Sequence, residues 1–145
     1  MTSSTLSSDP DTLSQVNQEL ERIQRHQKAG RYDAAGQAIE TLLATYPDHP
    51  QLVHLKGLNL IYTGQTDQGL ALLELVVSDD PDNVLALVDL GSFLARAGKL
   101  DDAIPKFQLA VEIAPNHALA QANLGAALLV KERYGPAIEA LNKAI

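Results

Sequence analysis

A chain of 145 residues fits one domain, and eleven Lys and Arg against eighteen Asp and Glu (net charge −7) argue against affinity for a phosphate backbone, which needs clustered positive charge. The hydrophobic fraction of 46% is that of a globular protein rather than a disordered one, and the absence of cysteine excludes disulfides, thiolate metal sites and a cysteine nucleophile. With no Trp, two Phe and four Tyr, aliphatic side chains and alanine must build the core, a composition that favours helices.

Residues 1–9 are rich in Ser and Thr and read as a flexible tail. Residues 1–14 carry neither a basic residue nor a hydrophobic stretch, so no signal peptide is expected and the chain is assigned to the cytoplasm. No apolar run approaches bilayer-spanning length, so membrane insertion is not expected. Asp9-Pro10-Asp11 is a helix start, after which Leu13, Val16, Leu20 and Ile23 form a stripe at helical spacing. Helices are predicted at about 15–29, with a possible earlier start near Pro10, then 33–45, 50–63, 67–79, 84–97, 101–113, 118–131 and 135–145.

These helices fall into a repeat of 34 residues. Pro47, Pro81 and Pro115 keep that spacing, as do Gly57, Gly91 and Gly125, and Gly30, Gly64 and Gly98. Ala35, Gly69, Ala103 and Ala137 form a ladder of small residues, and Ile39, Leu73, Phe107 and Leu141 one of large apolar residues. The ladders have separate physical roles. Gly30, Gly64 and Gly98 suit left-handed helix caps. A glycine inside a helix at 57, 91 or 125 costs about 1 kcal/mol of propensity, a sacrifice that makes sense where a second helix passes close by. The fourth unit has Glu132 at the capping position, so its turn should be looser or closed differently. Pro136 stands at the start of its second helix, whereas Pro105 lies a turn into a helix and removes one backbone bond.

Leu90-Gly91 and Leu124-Gly125, the turn Gly30-Arg31-Tyr32, Ala35, Ala103, Phe107 and Ala110, and the three prolines resemble the tetratricopeptide repeat family over about residues 16–145. The resemblance implies an all-α fold: an α-solenoid of antiparallel helix pairs in a right-handed superhelix, whose first helices line a concave face. The repeats would be 16–49, 50–83, 84–117 and a truncated 118–145, about 3.8 units within a domain at 10–145. Glu19, Val53, Leu87 and Gln121 replace the aromatic residue common early in the first helix, and Arg22-Ile23 replaces Leu-Gly in the most divergent unit, the first.

Motifs for chemistry are absent. His26, His49, His54 and His117 show no HExxH spacing, Asp79-Asp80-Pro81-Asp82 lacks EF-hand spacing and reads as a solvated turn, and no phosphate-binding loop occurs. Arg22, Arg25, Lys28 and Arg31 make a basic stripe that reads as a solvated face. No catalytic residue, metal site or cofactor is therefore expected, and no nucleic-acid partner.

Function must come from a surface. The resemblance points to the concave face, with Leu58, Tyr62, Leu85, Val88, Ser92, Arg96, Asn123 and Ala126 as expected contacts for a protein or peptide partner in a partly apolar groove. The carboxylate clamp of chaperone-binding members is matched only at Asn123, as is the asparagine ladder of the O-linked sugar transferase, which here reads Glu21, Leu55, Asp89 and Asn123. Two other roles are compatible with the repeat. The chain could be the N-terminal region of a larger bacterial glycosyl- or sulfotransferase, which a native mass near 15.6 kDa would exclude. It could also self-associate through an uncapped last helix presenting Ile138, Leu141 and Ile145.

Overall fold

The computed structural model describes residues 9–143, with side chains described as far as Tyr134. All of the expected tail except Asp9 lies outside the described residues, as do the side chains of Ile138, Leu141 and Ile145. Among the described residues there are seven helices and no strand: α1 (Pro10–Lys28), α2 (Tyr32–Thr45), α3 (Pro50–Tyr62), α4 (Thr66–Asp79), α5 (Val84–Arg96), α6 (Leu100–Ile113) and α7 (Ala118–Lys143). The chain divides into two compact units, 1–76 and 77–145, with the boundary inside α4.

The glycine caps form as the spacing predicts. Gly30, Gly64 and Gly98 have φ of 73°, 91° and 80°. Each helix closes with the same pair of bonds: Arg31 N–H donates to His26 C=O at 2.8 Å, Gln65 to Leu60 at 2.8 Å and Lys99 to Leu94 at 2.9 Å, while each glycine N–H reaches back three residues. This doubly bonded closure satisfies carbonyls that a helix end otherwise leaves open, and a Cβ would strain it.

In the first unit, Val16, Leu20 and Ile23 of α1 pack with Ala35 and Ile39 of α2 and Leu52 and Leu55 of α3. The α1 stripe continues into a polar residue. Gln27 is buried, and its Nε2 donates to Leu55 C=O at 2.9 Å; Asn59 Nδ2 in turn donates to Tyr32 C=O at 3.2 Å. Two side-chain amides thus tie the first helix pair to α3, an arrangement that low-dielectric surroundings strengthen. Where α3 meets α4, a Cβ on Gly69 would lie 2.5 Å from Gly57 O, so the small-residue ladder does mark a near contact of backbones.

In the second unit, Leu87, Val88, Leu90 and Leu94 of α5 are buried, as are Ala103, Ile104, Phe107 and Ala110 of α6 and Ala120 and Ala127 of α7. Phe107 fills the space that Gly91 leaves: a Cβ there would fall 2.6 Å from the ring. Pro105 does sit inside α6.

The fourth repeat departs from expectation. Helices at 118–131 and 135–145 were expected around a turn, but α7 is continuous from Ala118 to Lys143. Position 132 explains this. The left-handed cap that glycine adopts at 30, 64 and 98 is unfavourable for glutamate, so the helix runs on where its predecessors stop.

One further ladder appears at the helix starts, where His49, Asn83 and His117 precede α3, α5 and α7. Asn83 Oδ1 accepts from Ala86 N–H at 3.1 Å and His117 Nδ1 accepts from Ala120 N–H at 3.2 Å, so Asn83, rather than the neighbouring aspartates, caps α5. His49 Nδ1 is instead buried without a hydrogen-bond partner. Burial lowers the pKa of His49 below its ordinary value of 6.5, against a smaller upward effect of its own backbone. Burial thus favours the neutral imidazole of His49 in the folded chain. Its contribution to stability is complete above the unfolded pKa, declines as pH falls below 6.5 toward the lower folded value, and is constant beneath both. His49→Asn, which copies Asn83, should flatten this part of the stability profile. Urea midpoints of both proteins at pH 7.5 and 5.5 check it: an equal acid-induced drop in the two would show that His49 is not the titrating group.

Candidate functional site

Within the second unit, α5, α6 and α7 enclose an open cavity of about 280 Å³. Ser92, Ala95 and Arg96 form one wall, Asn123, Ala126, Ala127 and Val130 the facing wall, and Leu100 and Phe107 the remaining apolar lining. The geometry follows from helical spacing: 92, 95 and 96 share a face of α5, and 123, 126, 127 and 130 share a face of α7. Four of the eight expected contact residues, Ser92, Arg96, Asn123 and Ala126, thus meet around a single space.

The polar part of the site is a short chain of hydrogen bonds. Asn123 Nδ2 donates to Ser92 Oγ at 3.1 Å, and the Ser92 hydroxyl donates to Val88 C=O at 2.8 Å. This leaves the Asn123 amide oxygen in place as an acceptor for a backbone N–H. Arg96 lies over the Phe93 ring, 5.6 Å from its centroid, which holds the exposed guanidinium at the rim. The cavity can seat one or two apolar side chains, with a hydrogen-bonding amide and a positive charge beside them.

The other expected residues are placed differently. Val88 is 0% exposed and belongs to the core, because it faces inward on α5 together with Leu87 and Gly91. It cannot touch a partner directly, and Val88→Glu would bury a carboxylate and unfold the unit rather than report on binding. Leu85 is 56% exposed near the start of α5 but does not line the cavity. Leu58 and Tyr62 belong to the first unit. Leu58 is half-buried against its core, and the exposed Tyr62 stacks on Tyr32 with centroids 5.3 Å apart.

A larger cavity of about 400 Å³ in the first unit lies between α1 and α2, lined by Glu19, Arg22, His26, Gln37 and Thr41 among others. Its two charged residues are paired with each other, Arg22 to Glu19 at 3.5 Å, and both are well exposed. His54 is buried on α3. No group of three or more His, Cys, Asp or Glu that could hold a metal occurs among the described residues. Among the same residues, no helix is long and apolar enough to cross a membrane. The amide pair Gln27 and Asn59 escaped sequence reading because the 34-residue ladder gives no sign of it: the positions equivalent to Gln27 are Ile61, Ala95 and Leu129.

The family profile of the tetratricopeptide repeat matches residues 54–118. No curated protein matches the chain by sequence. Among solved structures, MamA of AMB-1 is 30% identical, with 88% of this chain and 69% of that one covered and a TM-score of 0.66. An O-GlcNAc transferase mutant from Thermobaculum terrenum is 25% identical over 84% of this chain and 23% of its own, with a TM-score of 0.73. The Yersinia enterocolitica type III secretion chaperone SycD, in complex with a peptide of the translocator YopD, is 18% identical over 81% of this chain and 95% of its own, with a TM-score of 0.67. The chain thus spans under a quarter of the transferase, and 18% of the matched chain in the Naa15/Naa10 structure bound to HypK-THB. The repeat period, the glycine caps, the close helix contacts at Gly57 and Gly91, and these likenesses agree: the chain belongs to the tetratricopeptide repeat family.

Proposed function

We propose that the chain is a non-enzymatic protein-interaction scaffold whose second unit binds a peptide segment of a protein partner in the cavity between α5 and α7. The observation that carries this reading is the convergence of Ser92, Arg96, Asn123 and Ala126 on one open, largely apolar space. Small side chains at 95, 126 and 127 leave room for a partner's side chain, while the Asn123 amide and the Arg96 guanidinium supply direction and charge selectivity. The preferred segment carries an apolar anchor with an acidic residue beside it. The peptide-bound SycD, of similar fold, gives this use of the fold a precedent.

The test uses twelve-residue peptides selected from a random display library against the full chain. Selected peptides should be enriched in a Leu, Ile or Phe anchor next to Asp or Glu. Ala126→Glu, at an exposed position, should weaken them at least tenfold, about 1.4 kcal/mol, with unchanged helicity. Selected peptides that bind Ala126→Glu and Arg96→Ala as tightly as the parent would place binding elsewhere. The rival role, as the leading region of a larger transferase, is not favoured by any of the described residues, and the intact mass of the native gene product separates the two.

A further inference from the structure

The cavity between α5 and α7 is only the middle of two longer helix faces. On α5, Leu85, Ser92 and Arg96 fall within about 40° of one another around the helix axis; on α7, Leu119, Ala126, Val130 and Arg133 fall within about 60°. Ser92 and Arg96 line the cavity from one side and Ala126 and Val130 from the other, so both faces open into one groove. The two helices run in the same direction, since each packs against α6 and the chain reverses once before it and once after it. Toward the helix starts the groove continues to Leu85 and Leu119, 56% and 54% exposed. Toward the helix ends it is flanked by Arg96 and Arg133.

Both arginines are exposed, and each lies over a ring of its own helix: Arg96 is 5.6 Å from the Phe93 centroid and Arg133 5.5 Å from that of Tyr134. These contacts restrict the two guanidinium groups without neutralising them. Among the described residues neither pairs with a carboxylate, whereas Lys131 lies 3.2 Å from Asp101, Lys56 3.0 Å from Glu40 and Arg22 3.5 Å from Glu19. A cation in the last turn of a helix answers the helix dipole, which accounts for Arg96. Arg133 stands ten residues before the end of α7 at Lys143, so no helix end accounts for it. The opposite half of the groove has the opposite character, because Asp89, half-buried between Leu85 and Ser92 along α5, adds a carboxylate there.

We propose that the groove takes its peptide in one order of side chains: an apolar residue on Leu85 and Leu119, the anchor in the cavity, and two carboxylates, one at Arg96 and one at Arg133. This order rests on the peptide-binding reading of the cavity and adds two subsites to it. Leu85 to Arg96 is about 16 Å along α5, and Leu119 to Arg133 about 21 Å along α7. An extended segment of roughly five to six residues spans that length. The apolar residue then stands about three positions from the anchor, on the side away from the acidic pair. Reversed, the segment would set its carboxylates against Leu85, Leu119 and Asp89, losing their hydration with no cation in return.

The probe is a twelve-residue peptide from the display selection, labelled with a nitroxide at its acidic end or at its apolar end and bound to the full-length ¹⁵N-labelled chain. The acidic-end label should broaden the amides of Arg96 and Arg133 most, and the apolar-end label those of Leu85 and Leu119. Broadening in the opposite order, or alike for the two labels, overturns the proposed order. Affinities supply the second arm. Arg133→Ala should weaken the peptide about threefold, an effect that disappears when the peptide's acidic residues are replaced by amides. Leu85→Ser should weaken it about fivefold, whereas Leu75→Ser, at a similarly exposed leucine of α4, should change nothing. Binding that is lost in Ala126→Glu but untouched by Arg133→Ala and Leu85→Ser overturns the order alone and leaves the cavity reading standing. A library that yields no binder, or peptides indifferent to all three substitutions, overturns both.

Discussion

Phe107→Ala is expected to remove about 3–5 kcal/mol from the stability of the second unit, the largest single effect in the molecule. Phe107 is 2% exposed and the largest of the fully buried side chains, its ring lies against Gly91, and it also lines the cavity. Its removal loses the transfer free energy of an aromatic side chain and leaves a void. The glycine opposite, having no side chain, cannot fill that void. A domain of this size has about 5–15 kcal/mol in all, so the unit would stand close to unfolding at ambient temperature. Urea titration followed by circular dichroism measures the loss. Phe107→Leu, which keeps most of the volume, should recover more than half of it. A cost below 1 kcal/mol for the alanine variant would mean that the α5–α6 contact is not the centre of this core.

The second large effect concerns a residue whose replacement would ordinarily stabilise a helix. Gly69→Ala should gain about 1 kcal/mol of helix propensity and still destabilise the protein by about 1–3 kcal/mol net. The added Cβ would sit 2.5 Å from both Gly57 O and Ile61 Cγ1, and 3.1 Å from Ile61 N. Two of those three atoms are backbone, so no change of rotamer relieves the overlap and α3 must move away from α4. Gly57→Ala meets its nearest neighbours at 3.1–3.3 Å and should be tolerated better. Thermal melts of the two variants rank them. A Gly69→Ala protein more stable than the parent would show that the helices do not pass as closely as described.

Much of this was legible because each ladder corresponds to one physical requirement. Gly30, Gly64 and Gly98 fix helix ends through their positive φ, and Gly57 and Gly91 mark the near helix contacts, so the first six helices fall within a residue of their expected bounds except at the start of α1. The fourth repeat carried its own warning in Glu132, but periodicity alone favoured a turn there, and the actual cost of a non-glycine cap decided for a continuous helix. The candidate site was only half legible. A 34-residue period assigns residues to helices but not to the two sides of one helix, so Val88, on α5 with Ser92 and Arg96, was counted with the surface although it faces the core. The buried Gln27 and the half-buried Asn59 have no amide counterparts in other repeats, and no periodic signal could reveal them.

The measurement that bears most directly on the assigned site is a titration of a selected acidic-apolar peptide into the uniformly ¹⁵N-labelled chain, followed by amide and side-chain NMR shifts. Saturable shifts centred on Ser92, Arg96, Asn123 and Ala126, including the Asn123 side-chain amide, and absent from Ala126→Glu, are the predicted result. Shifts centred on the α1–α2 cavity around His26 and Gln37, with the α5–α7 residues unmoved, would contradict it.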